Sequence, residues 1–195
     1  MKLNILLISI SLILTSVVYS ADSDTHIGVD FGYAFADIGA DDTAQTIANL
    51  SGSTVTYTYD KATWAGRIYM DYDIGNDLFF EVGYLQSGSL DAKYTISGVT
   101  ATEAYEARAF DVALGFKDAE SGLFFKGGAH SSEIDGSATI TISGTTYAAN
   151  ASASGTGYLF GGGIDFDSSG GYTSRIGYTY YANMGGESSA DIGFL

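Results

Sequence analysis

Ile27-Gly28-Val29-Asp30-Phe31-Gly32-Tyr33-Ala34-Phe35 is the stretch on which the fold turns. Its odd positions are all large and apolar, and its even positions are Gly, Asp, Gly and Ala. A period of two puts successive side chains on opposite faces, the pattern of a β-strand with one apolar face. The same alternation returns along the chain. Trp64, Ile68, Met70 and Tyr72 oppose Ala65, Arg67, Tyr69 and Asp71; Leu78, Phe80, Val82 and Tyr84 oppose Phe79, Glu81 and Gly83. Further strands are read at 110–116, 123–130, 158–166 and 172–180, and a short last one at 190–195.

These eight strands are joined by connections of alternating length. The segments 39–62, 86–104 and 131–155 are long and polar, whereas 75–77, 118–122 and 168–171 are short. A barrel with short turns at one end and long loops at the other is the layout of transmembrane β-barrels. The composition agrees. Of 195 residues, 26 are Gly, 15 Tyr and 11 Phe, with no Pro and no Cys. Gly and Tyr disfavour helices, and Tyr favours strands. Charged residues are 16% of the chain, below the ~25% of a soluble domain. The absence of Cys excludes disulfide scaffolds and thiolate chemistry, and a net charge of −15 excludes nucleic acid, whose binding needs a basic surface.

Residues 1–20 read as a secretory leader: Lys2, an apolar run from Leu3 to Leu14, then Val18-Tyr19-Ser20 before Ala21. The run is shorter than the ~20 residues of a spanning helix. The expected organisation is therefore a signal peptide at 1–20 and a barrel domain at 21–195.

The small-residue face of each strand fits a crowded interior, because an eight-stranded barrel has room only for packed side chains. The opposite assignment, a soluble barrel around a ligand, would need far more charge outside. The inward charges are then Asp30, Arg67, Asp71, Glu81, Asp111, Lys126, Asp165 and Arg175. In a confined lumen they must pair. They are read as a structural plug, with a selectivity filter as the alternative. Glu81 and Lys126 hold equivalent places in the repeat Leu78-Phe79-Phe80-Glu81 and Leu123-Phe124-Phe125-Lys126, which sets them at similar depth. Two aromatic belts are expected at the membrane interfaces. Tyr72, Phe116, Phe166 and Tyr172 form one near the short turns; Tyr33, Trp64, Tyr84, Tyr158 and Tyr180 form the other near the long loops.

Taken together, and with phrases such as Phe80-Glu81-Val82-Gly83-Tyr84-Leu85 and Phe110-Asp111-Val112-Ala113-Leu114-Gly115-Phe116, the chain resembles the small outer-membrane barrels of Gram-negative bacteria. OmpA-type and OmpX-type barrels and the opacity-like surface antigens are the nearest comparison. The resemblance implies an all-β, eight-stranded antiparallel up-and-down transmembrane barrel, a monomer set in outer-membrane lipid and lipopolysaccharide. It implies extracellular loops that meet a host or surface ligand, and termini in the periplasm. One departure is the end, Gly193-Phe194-Leu195, where about seven residues follow the last loop although a spanning strand needs ~9–11. The closing strand is expected to be short, or the sequence truncated.

Catalytic groupings are sparse. Of two His, His26 starts the first strand and His130 ends the fifth beside Ser131, Ser132 and Glu133. A triad is defined by geometry, not by adjacency, so His130 is read as a rim residue. Asp71 to Asp77 lacks the spacing and final Glu of a calcium loop and reads as a turn. No metal or cofactor is expected. The loops carry a repeat, Thr95-Ile96-Ser97-Gly98-Val99-Thr100 and Thr141-Ile142-Ser143-Gly144-Thr145-Thr146, with a weaker copy at Leu50-Ser51-Gly52-Ser53-Thr54. Each is read as a hairpin beyond the membrane, either a stiff soluble loop or a sheet whose edge captures a partner strand. The expected role is non-enzymatic, in envelope structure or adhesion. A narrow passive channel and a lipid-modifying enzyme are the alternatives.

Overall fold

The computed structural model of the protein describes residues 16–22, 24–168, 172–186 and 190–195. The barrel wall is built from β2 (Thr25–Phe35), β4 (Ala62–Gly75), β5 (Leu78–Ser87), β7 (Val99–Lys117), β8 (Leu123–Ile142), β9 (Thr145–Ser168) and β10 (Tyr172–Ala182). Each pairs antiparallel with the next, so the wall runs β2-β4-β5-β7-β8-β9-β10. The alternation decides which side faces in. Ile27, Val29, Phe31, Trp64, Ile68 and Met70 are exposed on the outer wall, while Ala65, Arg67, Tyr69 and Glu81 are buried inside.

The eighth position, between β10 and β2, is shared by two short pieces. At the long-loop end β11 (Ile192–Phe194) pairs with both neighbours, setting Phe194 opposite Thr179 and Ala34. Leu195 then exchanges two backbone hydrogen bonds with Tyr33, at 2.9 and 3.0 Å. At the short-turn end β1 (Ser16–Asp22) lies between the same two strands, with Ser16 opposite Arg175 and Val17 opposite Val29. The strand read at 190–195 is thus only the upper part of the closing position. Of the leader read at 1–20, residues 1–15 lie outside the described residues.

β7, β8 and β9 span 19, 20 and 24 residues, far more than the ~9–11 that cross a bilayer. Their upper parts leave the barrel as a sheet, joined on one side by β6 (Leu90–Ile96) and β3 (Thr56–Tyr59). Two hairpin tips shape it. Ser97-Gly98 joins β6 to β7 and Ser143-Gly144 joins β8 to β9, all four residues with positive φ. That is the two-residue turn whose twist matches paired strands. Both sequence echoes at 95–100 and 141–146 therefore fold as hairpins.

The third, at 50–54, does not. Residues Ala40–Ser51 form helix α1, in a segment expected to be polar loop. Asp41 and Asp42 sit in its first turn, where acidic groups favour the helix dipole. Leu50-Ser51-Gly52 is its C-terminus: Gly52, with φ 64°, donates its N–H to Ala48 O. Ala40, Ala44 and Ile47 pack on Ala92, Tyr94 and Ala101, giving the protruding sheet a small core of its own.

Candidate functional site

The inward faces of seven strands converge on one cluster of charges. Glu81, on β5, is fully buried. It accepts hydrogen bonds from Arg67 Nη2 on β4 at 2.7 Å, Lys126 Nζ on β8 at 2.8 Å and Arg175 Nη1 on β10 at 3.1 Å. Arg67 also holds Asp111 on β7 through Nε at 3.1 Å and Nη2 at 2.5 Å, and lies 3.6 Å from Asp30 on β2. Arg175 grips Asp165 on β9 with two nitrogens, at 2.8 and 3.1 Å, and lies 3.5 Å from Asp71. All eight inward charges named from the sequence thus meet in one network. The Glu81–Lys126 contact spans β7, joining the two copies of the short repeat.

Room for these groups comes from glycine. A Cβ on Gly83 would lie 2.3 Å from Arg67 Nη2. Aromatic rings fill what remains: Arg175 lies 4.9 Å from the Tyr69 ring and 4.4 Å from that of Phe124, and Arg67 lies 5.1 Å from Tyr69. Cations over ring faces gain energy when desolvated. Three inward cations face five carboxylates. At the short-turn end Lys117 Nζ adds a fourth cation, reaching Asp165 at 2.9 Å, and His26 Nδ1 lies in hydrogen-bond contact with Asp71 at 2.9 Å.

Four participants were not singled out from the sequence: Tyr69, Phe124, Tyr181 and Lys117. Tyr181 donates its hydroxyl to Asp111 at 2.9 Å. Its parity with Arg175, Gly177 and Thr179 would have found it, but the strand was read as ending at Tyr180. On the long-loop side of the charges the lumen is apolar. Leu85, Met184, Ile192 and Phe194 are buried there, and the chain after β10 folds over them through a 3₁₀ turn at Met184–Gly186.

His130 belongs to this closure. It is buried, and its Nε2 donates to Ala182 O at 2.8 Å. Ser132 Oγ accepts the Gly185 N–H at 2.9 Å. Glu133 lies on the other face, paired with Arg108 at 2.8 Å and accepting from Ser152 at 3.0 Å. The His, Ser and Glu adjacent in sequence are thus committed to separate partners. Outside the barrel, the hydrogen bonds from Arg108 and then Ser152 hold the Glu133 carboxyl below its ordinary range. Burial, with the Glu103 carboxylate beside it, pushes the Tyr94 hydroxyl up to about 12.

The aromatics named for the membrane boundaries whose side chains are described lie on the outer wall. Trp64, Tyr33 and Tyr158 are exposed at its long-loop end, and Tyr72, Phe116 and Phe166 at the other. Tyr84 and Tyr180 are half-buried, their rings against Phe110 and Phe160 at 4.7 and 4.9 Å. Tyr172 lies in β10, its side chain outside the described set. Among the described residues no group of three His, Asp or Glu is placed to hold a metal ion.

The chain is similar in structure to Ail, the attachment invasion locus protein of Yersinia pestis, at 12% identity over 93% of this chain and 94% of that one, with a TM-score of 0.44. No curated protein matches the sequence. The profile of the OmpA-like transmembrane domain matches residues 20–192. With an apolar outer wall, a charged and packed interior and a family match over nearly its whole length, the chain belongs to the OmpA-like transmembrane domain family of outer-membrane β-barrels.

Proposed function

We propose that this barrel is a non-enzymatic membrane mount for the sheet that rises from it, serving adhesion or envelope structure. The observation that supports this most is the sheet itself. β9 continues for roughly 40 Å of strand beyond the wall at ~3.3 Å per residue, and helix α1 gives it a core separate from the lumen. On this reading the long loops face outward from the cell and the short turns face the periplasm, while Leu195, paired with Tyr33 in the upper part of the wall, corrects the expectation that both termini lie in the periplasm. The barrel sits in lipid and lipopolysaccharide as a monomer. The lumen network serves as a plug: Glu81 and Arg67 are fully buried, and an apolar layer lies on the loop side. Catalysis at His130 is disfavoured because its Nε2 proton is held by a carbonyl oxygen.

The test is surface display in a host that lacks adhesins. Cells carrying the intact protein are expected to attach to host-cell or matrix-coated surfaces, and cells carrying a barrel lacking residues 137–150 are not. Reconstituted protein is expected to pass no steady current. Stable conductance altered by Glu81→Gln or Lys126→Met would instead favour the channel, and equal attachment by both barrels would remove the adhesion role.

A further inference from the structure

Deepening the adhesion reading, on which it rests, we infer that the distal tip of the protruding sheet enters the interface of a facing lipid bilayer whose surface bears no net negative charge. The two Ser-Gly turns stand side by side at the far end of the sheet. Thr100 pairs with Thr141, so Val99 and Ile142 come next on adjacent strands, and Ile96 and Thr145 pair with them within their own hairpins. On the same face, one row back, Tyr94, Ala101, Ile140 and Tyr147 share a level. Helix α1 packs on Tyr94 and Ala101. Beyond its cover Ile140, Ile142 and Tyr147 are exposed at 36%, 44% and 59%. An exposed apolar group of this kind marks a contact surface.

Charge points to what covers it. Residues 94–102 and 136–164 hold no Asp, Glu, Lys or Arg. The opposite face of the tip carries Thr95, Thr100, Thr141 and Thr146 at one level, with the Thr141 and Thr146 hydroxyls 3.0 Å apart. Asp41, beside the Tyr57 hydroxyl, lies at the other edge of the sheet, where β3 is four strands from β9. A folded protein would meet one face of this tip. A bilayer interface accepts the apolar face, the hydroxyl face and the turns together, with no ion to desolvate. Depth fits as well. Ile140 and Tyr147 stand three residues from the Ser143-Gly144 turn, ~10 Å at ~3.3 Å per residue, and interfacial segments bury their apolar face ~5–10 Å deep. Tyr is at home at that boundary, ring inward and hydroxyl in the wet layer. The β8–β9 ladder is unbroken to Ile142–Thr145, so the backbone between the two strands is already bonded, as lipid requires. Nearer the barrel the charge reverses. The loop-end segments 36–62, 87–108, 131–157 and 183–191 hold eleven Asp and Glu against three Lys and Arg. That collar turns away an anionic leaflet, since like charge suppresses a wrong partner, and leaves a zwitterionic one.

The test uses the full barrel in lipid nanodiscs and separate phosphatidylcholine vesicles. The chain has no Cys, so Thr145→Cys carries a polarity-sensitive dye at the tip alone. Vesicles are expected to shift the dye emission to the blue and to carry the protein with them on flotation. Ile142→Asp with Tyr147→Asp should cut vesicle capture at least about tenfold. Asn150→Asp, on the polar face nearer the barrel, should leave capture unchanged, and both variants should keep the heat-dependent gel mobility of the barrel. Replacing half of the phosphatidylcholine with phosphatidylserine should weaken capture. A dye that ignores vesicles would overturn the inference. So would a double-Asp variant captured as well as the parent, or anionic vesicles bound at least as well as neutral ones. Cells that attach to protein-coated surfaces through the sheet, while vesicles are not captured, would replace the bilayer with a protein partner and leave the adhesion reading standing. Loss of both vesicle capture and cell attachment would remove the adhesion reading as well.

Discussion

Glu81 shows how one side chain can hold a barrel together. Its carboxylate is shared by three cations from three strands. Removing one partner of a buried ion network leaves uncompensated charge, at a cost of ~3–5 kcal/mol. Glu81→Ala is therefore expected to lower barrel stability by that amount in urea titrations. Glu81→Leu combined with Lys126→Met should cost less than the two single changes added together, because the charges leave as a pair. At the surface, Glu133 offers a titration. Its carboxyl is held below the ordinary range by Arg108 and then Ser152. Its pairing thus contributes stability above the unfolded pKa and loses it as pH falls through the folded one. Carboxyl-detected NMR should place its midpoint below ~4.3, and Arg108→Ala should raise it toward that value.

At the scale of elements, the two Ser-Gly turns carry the hairpins. Ser143 and Gly144 both have positive φ, at 50° and 83°. Asn is preferred at the first such position, so Ser143→Asn is expected to slow amide exchange at the β8–β9 tip. Gly144→Val should speed it, since a left-handed conformation costs an ordinary residue ~1–2 kcal/mol. The strands were legible because membrane and packed lumen impose opposite demands on alternate residues. Ile27 to Phe35 could hardly be read otherwise. Above the membrane that contrast fades. In Thr145 to Ala153 both faces meet water, and the alternation that marks β9 below is lost. Helix α1 was missed for a related reason. Its inward positions, Ala40, Ala44 and Ile47, do follow helical spacing, but alanines against a small core carry little hydrophobic signal. The aspartates of its first turn read as loop charge. Strand order could be read from turn lengths. The sharing of the eighth position by β1 and β11 depends on pairing across the ends of the chain, which no local pattern encodes.

On the scale of the whole molecule, barrel and sheet are two bodies with separate cores. The lumen is held by ion pairs and aromatic rings; the sheet is held by α1 and by Tyr94 and Tyr105, whose hydroxyls both donate to Glu103 at 3.2 and 3.3 Å. A barrel lacking residues 137–150 is therefore expected to resist detergent until boiled, as the intact protein should, since no group of the lumen network lies in that segment. Gel mobility with and without heating measures this directly.

The wide reach of Glu81 bears on how the protein is built. Its partners lie 14, 45 and 94 residues away along the chain. A nascent sheet ending at β5 has Arg67 beside Glu81 but neither Lys126 nor Arg175. At every stage before β10 arrives, Glu81 and Asp165 lack Arg175, and an incompletely paired charge is penalised in lipid. Premature insertion is thus discouraged by the chain itself. The electrostatic account closes only when the last strands arrive, which makes the lumen a checkpoint for completed assembly as well as a plug for the finished barrel.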